Sequence, residues 1–215
     1  RKVIGDARAK PPFLRITETT LQINPSADCH LDLREFLDLA SPEEARHGAD
    51  PGRADISNLE RALSLYRGEF LEGFSVDSAP LEEWILATRE QFRQKLLQAL
   101  RRLALAHEGS GELAEAFETT RRYLELEPWD EAAYRYQMRL LSLRDQRSAA
   151  LVLYEACCSR LAHDLGIKPE AETVQLYEQI RDGEVGAVPH SDFYSPAWAT
   201  EEALPLRKIP DFLTD

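Results

Sequence analysis

An interval of 34 residues separates two similar segments of this chain, and that interval restricts the folds open to it. The segment 113–117 aligns with the segment 147–151, so that Ala116 and Ala150 take equivalent positions. A period of about 34 residues is typical of repeats that each contain one helix, a turn and a second helix. A small alanine on the second helix lets the first helix approach closely, and larger neighbours fill the space around that contact.

Large and small residues recur at corresponding places in the two units. The first unit supplies Leu100, Leu103, Ala104, Ala116, Tyr123 and Pro128. The second unit supplies Tyr134, Leu141, Ala150, Tyr154 and Cys157. Gln137 and Met138 replace the usual Leu-Gly pair, and Ala162 replaces the proline that usually ends such a repeat. The patterns predict an all-α fold of tetratricopeptide-like antiparallel helical repeats between residues 80 and 182.

Helical signals also occur before the repeats. Apolar residues recur at near-helical spacing over 31–40, which predicts a short helix. The polar stretch 41–55 predicts a loop that a helix partly enters, and Ser57 with Glu60 offers a capping box at which the next helix begins. A long helix is predicted over 80–109, because a proline suits its first turn and apolar residues continue along one face.

Both ends of the chain depart from the helical pattern. Residues 13–24 contain two short β-type runs around Glu18 and Thr19, with prolines on either side, which predicts a small N-terminal β-hairpin. The tail 184–215 contains four prolines among scattered aromatic residues, so it predicts neither a regular helix nor a central strand. We interpret the tail as a Pro-rich linker or as a packed C-terminal segment.

Charge is divided unevenly along the chain. The formal net charge is −12, but residues 1–15 carry +4 and residues 16–215 therefore carry −16. An acidic body opposes binding to a phosphate backbone, whereas a basic end favours it. The longest apolar runs fall far short of the roughly 20 residues that span a bilayer, and no signal peptide opens the sequence. We therefore expect a cytoplasmic protein with no membrane partner.

Motifs for catalysis and metal binding are weak. The sequence has no nucleophile elbow, phosphate loop or Gly-rich dinucleotide turn, so we expect no enzymatic activity and no cofactor. Neither Cys29 with His30 nor Cys157 with Cys158 and His163 supplies four ligands at the spacing of a zinc site. We interpret Cys157 and Cys158 as buried small side chains and expect no metal.

Three stretches of the chain share their residues with one known family. They are YRGEFLEG at 66–73, the segment 125–180 that begins ELEPWDEAAY, and RDG at 181–183. Together they resemble the bacterial transcriptional activator domain, which is the helical domain of the antibiotic regulatory protein family and of related large ATP-binding regulators. The recurring positions of that domain are occupied here by Pro128, Glu131, Arg139, Ala150, Tyr154, Leu161, Leu165, Gly166, Pro169, Leu176 and Tyr177.

The resemblance also gives a meaning to the N-terminal end. Members of this family place a winged helix of response-regulator type before the helical domain. RKVIGD at 1–6 resembles the end of the recognition helix, and the segment 11–25 resembles the wing hairpin. The segment 18–20 replaces the usual glycine-tyrosine turn of that hairpin, which leaves its contact with DNA open.

The implied domain organisation has three parts. The resemblance implies a winged-helix remnant at 1–27, the activator domain at 28–183 and a linker or packed tail at 184–215. Met138 is the only methionine, so we expect the chain to be a piece of a longer protein.

Basic residues near the N-terminus are the first candidate binding set. Phosphate contacts from such residues position a winged helix without reading bases. The alternative is a solvated basic terminus. The DNA-proximal candidates are Arg1, Lys2, Arg8, Lys10 and Arg15.

A concave groove is the second candidate binding set. If 97–109 and 131–143 are the first helices of their repeats, the concave side presents Gln98, Arg101, Leu105, Ala132, Arg135, Arg139 and Ser142. Guanidinium groups bind carboxylates well, so the groove suits an acidic peptide or a neighbouring domain. The alternative is internal pairing with nearby Glu127, Glu131 or Asp145, and for Arg139 we favour a structural role.

The function implied by the resemblance is that of a regulatory and oligomerising module. Such a module positions a winged-helix DNA reader and mediates protein–protein contacts. Its implied partners are DNA through the complete winged helix, other protein domains or RNA polymerase, and a second copy in a homodimer. The alternative is a free-standing tetratricopeptide-like adaptor that binds an acidic peptide and never meets DNA.

Overall fold

The computed structural model describes residue 6 and residues 8–18, 21–24, 26–28, 30–40, 51–75 and 77–184. Arg1, Lys2 and Cys29 lie outside the described residues, as does the tail from residue 185 onward. Within the described part, the chain forms seven α-helices, one π-helical turn and a single two-stranded sheet. The predicted all-α fold with a small N-terminal hairpin is therefore confirmed.

The hairpin lies where the sequence predicted it. Strand β1 (Leu14–Ile16) pairs antiparallel with strand β2 (Leu21–Ile23), and Leu14 stands opposite Ile23. The buried carboxylate of Asp6 accepts a hydrogen bond from the backbone amide of Leu14 at 2.9 Å. The side-chain amide of Asn24 donates to the carbonyl of Pro12 at 2.7 Å. Both side-chain contacts lie at the open end of the hairpin, where β1 begins and β2 ends.

Three helices precede the repeats or overlap them. Helix α1 is Asp32–Ala40, helix α2 is Pro51–Leu65 and helix α3 is Ala79–Gly109. The predicted helix start at Ser57 is wrong, because α2 already begins at Pro51. Proline suits the first turn of a helix, where its missing N–H costs nothing, so the helix starts earlier than the capping box indicated. Helix α3 is one continuous helix, as predicted.

Four further helices follow in antiparallel succession. Helices α4 (Leu113–Leu126), α5 (Glu131–Leu143) and α6 (Arg147–Arg160) are joined by turns short enough to make neighbours antiparallel. The π-helical turn Leu161–Leu165 then leads to helix α7 (Ala171–Asp182). It lies where Ala162 departs from the repeat pattern. A wider π turn therefore replaces the proline-terminated link of an ordinary repeat.

The two repeat alanines lie in the core, as the period requires. Ala116 and Ala150 are both 0% exposed, so the backbones of adjacent helices approach closely at these positions. One core cluster extends from α1 to the π-helical turn, and its largest fully buried members are Phe36, Leu59, Leu100, Leu140 and Leu161. A second cluster joins α5, α6 and α7 through Met138, Leu141, Ala150, Leu176 and Ile180. None of the described helices carries an apolar stretch of the length that crossing a bilayer requires.

Candidate functional site

The groove arginines Arg101 and Arg135 occupy equivalent positions, 34 residues apart, in helices α3 and α5. Each of them pairs with a carboxylate at the start of the following helix pair, from the N-cap residue of its first helix. Arg101 Nη2 lies 2.6 Å from Asp130 Oδ2, and Asp130 is the N-cap of α5. Arg135 Nη1 lies 2.9 Å from Glu170 Oε2, and Glu170 is the N-cap of α7. The same ion pair thus joins successive helix pairs at two places.

Tyr123 completes the first of these junctions. Its hydroxyl donates to Asp130 Oδ2 at 2.6 Å, and the Arg101 guanidinium lies 4.9 Å from the centre of its ring. Burial, followed by the negative charge of Asp130, raises the pKa of Tyr123 well above its ordinary value. Asp130 also accepts a hydrogen bond from the backbone amide of Ala133 at 3.2 Å, as a helix cap does.

Thr173 and Glu131 complete the second junction. Arg135 Nη1 donates to the hydroxyl of Thr173, which is fully buried, at 2.8 Å. The buried carboxylate of Glu131 accepts a hydrogen bond from the backbone amide of Glu170 at 2.8 Å. Helix α5 therefore both donates to the start of α7, through Arg135, and accepts from it, through Glu131.

Arg139 lies in the interior, between α5 and the end of α3. Its Nη2 is 2.8 Å from Glu108 Oε1 and 2.9 Å from Glu108 Oε2, and the two side chains are only 9% and 10% exposed. Its guanidinium also lies 5.2 Å from the centre of the Tyr136 ring. Burial, followed by the charge of Glu108, raises the pKa of Tyr136. This arrangement is structural.

The other groove residues are half-buried and less polar. They are Gln98, Leu105, Ala132 and Ser142. The Ser142 hydroxyl donates to the carbonyl of Met138 at 3.0 Å within its own helix. Of the two interpretations of the groove, the geometry favours internal pairing, and the acceptors include Asp130, Glu170 and Glu108, which were not named from the sequence. A peptide-binding role for the groove stays a prediction.

The N-terminal basic residues that the structure describes lie on the hairpin side of the molecule. Arg8, Lys10 and Arg15 are all exposed. The hairpin also exposes two large apolar side chains, Ile16 at 48% and Ile23 at 51%. Within the described residues, its strands contact each other and no helix packs extensively against them. Contact of these residues with DNA stays a prediction.

An open cavity that the sequence did not indicate lies at the beginning of helix α5. It measures about 330 Å³ and is lined by Trp129, Asp130, Glu131, Ala132, Arg135, Leu161, Leu165, Ile167 and Glu170. Its walls come from two segments, 129–135 and 161–170, which the fold brings together. No local sequence pattern joins these segments, so only the packing of the π-helical turn reveals the site.

The described residues offer little for metal binding. They contain no cluster of three or more histidine, cysteine, aspartate or glutamate side chains that could hold a metal ion. Cys157 is buried, and burial raises the pKa of its thiol to about 12. The reactive thiolate is therefore scarce at neutral pH. Cys157 fills space in the core, as we expected from the sequence.

A comparison with solved structures supports the fold. The chain is similar to the structure of Mycobacterium tuberculosis EmbR in complex with a low-affinity phosphopeptide, with a TM-score of 0.61 and 22% sequence identity. The match covers 86% of this chain and 48% of EmbR, so the chain spans about half the length of that protein. A search of curated protein sequences finds no match. At this identity, the likeness to EmbR concerns the fold alone.

A comparison with family models identifies the family. The model described as bacterial transcriptional activator domain matches residues 31–181 of the 215 residues. The matched range begins just before α1 and ends within α7, so it contains all of the helices that form the two core clusters. The chain therefore belongs to the bacterial transcriptional activator domain family.

Proposed function

We propose that this chain is the helical module of a bacterial transcription regulator, that it positions a winged-helix DNA reader, and that it mediates contacts with other proteins. Residues 1–27 are the end of that reader, residues 28–183 are the module and residues 184–215 are the linker or packed tail that follows. The partners are DNA through the reader, and other protein domains, RNA polymerase or a second copy through the module. A regulator of this kind works in the cytoplasm, where the chromosome is.

The exposed hairpin is the observation that carries this proposal. A two-stranded hairpin by itself is marginally stable in water and needs a third strand or a helix against its apolar face. Ile16 and Ile23 remain about half exposed on this hairpin, which indicates that further structure packs there. Exposed Arg8, Lys10 and Arg15 place positive charge on the same small unit of an otherwise acidic chain. Basic side chains at the edge of a DNA reader make phosphate contacts that fix its orientation on the duplex.

The stiffness of the helical array supports the positioning role. Ion pairs from Arg101 and Arg135 cross both junctions between successive helix pairs, and the buried Arg139–Glu108 pair lies between them. The Arg139–Glu108 pair is buried, so salt screens it less than it screens an exposed pair. A platform built in this way holds what is attached to its first helix at a fixed angle.

The rival function receives less support from the geometry. A free-standing adaptor for acidic peptides requires guanidinium groups that can be offered to the ligand. Arg101, Arg135 and Arg139 are already engaged with Asp130, Glu170 and Glu108. An acidic ligand has to displace these carboxylates before it binds, which weakens its affinity.

A flexible insertion at the junction between hairpin and module tests the proposal. The insertion has four residues, glycine and serine only, and lies between Ala27 and Asp28 in the protein as its gene encodes it. We expect it to reduce transcription of the target promoter at least tenfold. DNA affinity should change by less than twofold, because the reader itself is intact while its angle to the module is lost.

The same four residues inserted after Gly183, beyond helix α7, form the matched control. This insertion leaves the junction between hairpin and module intact, so transcription should remain within twofold of wild type. Full activity of the Ala27 insertion variant, with unchanged DNA affinity, would show that the module does not position a reader. Loss of DNA affinity in that variant would place DNA-contacting residues in the module itself.

A further inference from the structure

The open cavity at the beginning of α5 combines apolar walls with a tryptophan. Trp129, Leu165 and Ile167 line it and are 46%, 47% and 48% exposed. Three large apolar side chains are thus exposed around one depression, beside polar groups that also line it. Tryptophan is also among the residues that contribute most to binding energy at protein interfaces. These three residues are called the Trp129 patch below.

The Trp129 patch is held in place by the surrounding structure. The indole Nε1 of Trp129 donates to Asp164 Oδ2 at 3.2 Å, which joins the start of α5 to the π-helical turn. Gly166 follows that turn at φ 69°, a left-handed conformation that suits glycine. The patch is therefore ordered before any partner arrives, which limits the conformational entropy lost on binding.

The π-helical turn explains why the cavity occurs at this place in the array. Ten residues, 161–170, separate α6 from α7, whereas residues 127–130 alone separate α4 from α5. Single π-helical turns are frequently found at functional sites. The longer link lets Leu165 and Ile167 stand beside Trp129, and the space between them is the cavity.

The charge around the cavity selects the partner. Asp130, Glu131 and Glu170 line it together with Arg135, which pairs with Glu170. Asp164 lies beside Trp129 and pairs with His163. The side chain of Glu170 is 59% exposed, so a cation from a partner can reach it. The formal net charge of the whole chain, −12, attracts a basic partner from a distance as well.

We propose that the Trp129 patch binds a basic segment of a partner protein that inserts one large apolar side chain into the cavity. The apolar side chain lies against Trp129, Leu165 and Ile167, and flanking lysine or arginine residues pair with Glu170 and Asp164. This inference rests on the proposed function, because it gives the chemistry of the protein partner that the module contacts.

Binding of three dye-labelled synthetic peptides to the full chain tests the inference. The first is a lysine- and arginine-rich dodecapeptide with one central leucine, the second has serine in place of that leucine, and the third has glutamate in place of the basic residues. Fluorescence anisotropy measures each Kd at 50 mM and at 150 mM salt. We expect the basic leucine peptide to bind at least fivefold more tightly than the serine peptide and at least tenfold more tightly than the acidic peptide.

Two variants locate the binding. Trp129→Ala should weaken binding of the basic leucine peptide at least tenfold, because it removes the largest apolar wall of the cavity. Val152→Ala is the matched control, since Val152 is 63% exposed on helix α6 and does not line the cavity. Its Kd should stay within twofold of wild type. Circular dichroism verifies that both variants remain helical.

Three results would each overturn the inference. They are absence of saturable binding by the basic leucine peptide, equal affinity for the leucine and serine peptides, and an unchanged Kd in Trp129→Ala. Because this measurement involves neither DNA nor transcription, it is independent of the insertion experiment. If the peptide binds but the insertion at Ala27 leaves transcription unchanged, the contact site stands and the positioning role is wrong. If the insertion lowers transcription but the peptide does not bind, the positioning role stands and the contact site is wrong.

Discussion

At the scale of single residues, the buried pair of Arg139 and Glu108 illustrates how this molecule uses charge. Both side chains are about nine-tenths buried, and the guanidinium contacts both carboxylate oxygens. Removal of one partner leaves the other charge buried without compensation, which costs about 3–5 kcal/mol in comparable cases. Replacement of both partners with apolar residues removes that penalty.

We therefore expect Arg139→Met to lower the free energy of unfolding by about 3 kcal/mol or more. The double variant Glu108→Leu with Arg139→Met should regain most of that loss, because the hydroxyl of Tyr136 still donates to the carbonyl of Ala104. Urea unfolding followed by circular dichroism at 222 nm measures both values. Arg121→Met is the control, since Arg121 pairs with Glu118 at the surface and its loss should barely change stability. Equal stability of Arg139→Met and Arg121→Met would contradict the structural role of Arg139.

Residue-scale reasoning from the sequence found the right arginines but not their acceptors. The 34-residue period placed Arg101 and Arg135 on equivalent surfaces. The range 131–143 predicted for one helix already put Asp130 at its start, and the structure has α5 there. Position in the sequence does not show which carboxylate a guanidinium reaches across a junction between helices, so Asp130 and Glu170 were missed.

At the scale of elements, two glycines next to helix ends have opposite conformational needs. Gly166 follows the π-helical turn at φ 69°, and no atom lies within 4 Å of a Cβ built on it. Gly109 is the last residue of helix α3, and a Cβ there also meets no atom within 4 Å. A Cβ has room at both positions, so steric clashes do not distinguish the two alanine variants. A difference in their free energies of unfolding therefore reports the backbone conformation alone.

Gly166→Ala should lower the free energy of unfolding by about 1–2 kcal/mol, since L-residues are strained in the left-handed region. Gly109→Ala should raise it by up to about 1 kcal/mol, because alanine has the higher helix propensity and reduces the entropy of the unfolded chain. Thermal and urea unfolding of the two variants in parallel measures the difference. Two variants of equal stability would show that the turn at 161–166 is not fixed in the native state.

Elements were predictable where the period was regular. Helices α3 to α7 follow apolar spacing that a 3.6-residue turn produces, and the structure has them at those places. The start of α2 was missed because Pro51 begins a helix inside a polar stretch that carries no apolar face. The π-helical turn was missed because a wider turn shifts side chains away from the spacing on which helix prediction depends.

At the scale of the whole molecule, charge and architecture together define what the chain does by itself. Residues 16–215 carry a net charge of −16, and residues 1–15 carry +4. Among the described residues, the hairpin is the part that we propose to belong to a DNA reader, and no helix packs extensively beside it. Phosphate contacts alone do not select a sequence, because base edges are read within the grooves.

We expect residues 1–215 alone to produce no sequence-specific shift of duplex DNA at physiological salt. Electrophoretic mobility shift with promoter fragments and a shuffled control sequence measures this. Any residual binding should be weak, equal for both sequences and lost as salt rises, because it depends on counterion release. A tight complex with one sequence would mean that the chain contains a complete reader.

The Trp129 patch shows the limit of sequence reasoning at this scale. Trp129 stood out neither as part of an apolar stripe nor as part of a motif for chemistry. Leu165 and Ile167, which line the cavity with it, lie in the segment 161–170 between α6 and α7. The length of this segment, and not its composition, creates the cavity. Only the three-dimensional arrangement assembles the surface from these separate segments.

The recurrence of one arginine-to-cap pair at both junctions also bears on how the array comes apart. In a stack of repeats, each layer can unfold alone when contacts between layers are weak compared with those inside each layer. Here Arg101 and Arg135 connect each layer to the residue at the start of the next first helix, so that loss of one layer leaves the carboxylate of Asp130 or Glu170 without its arginine. These two pairs add to the contacts between layers, and stronger contacts between layers make their unfolding more cooperative.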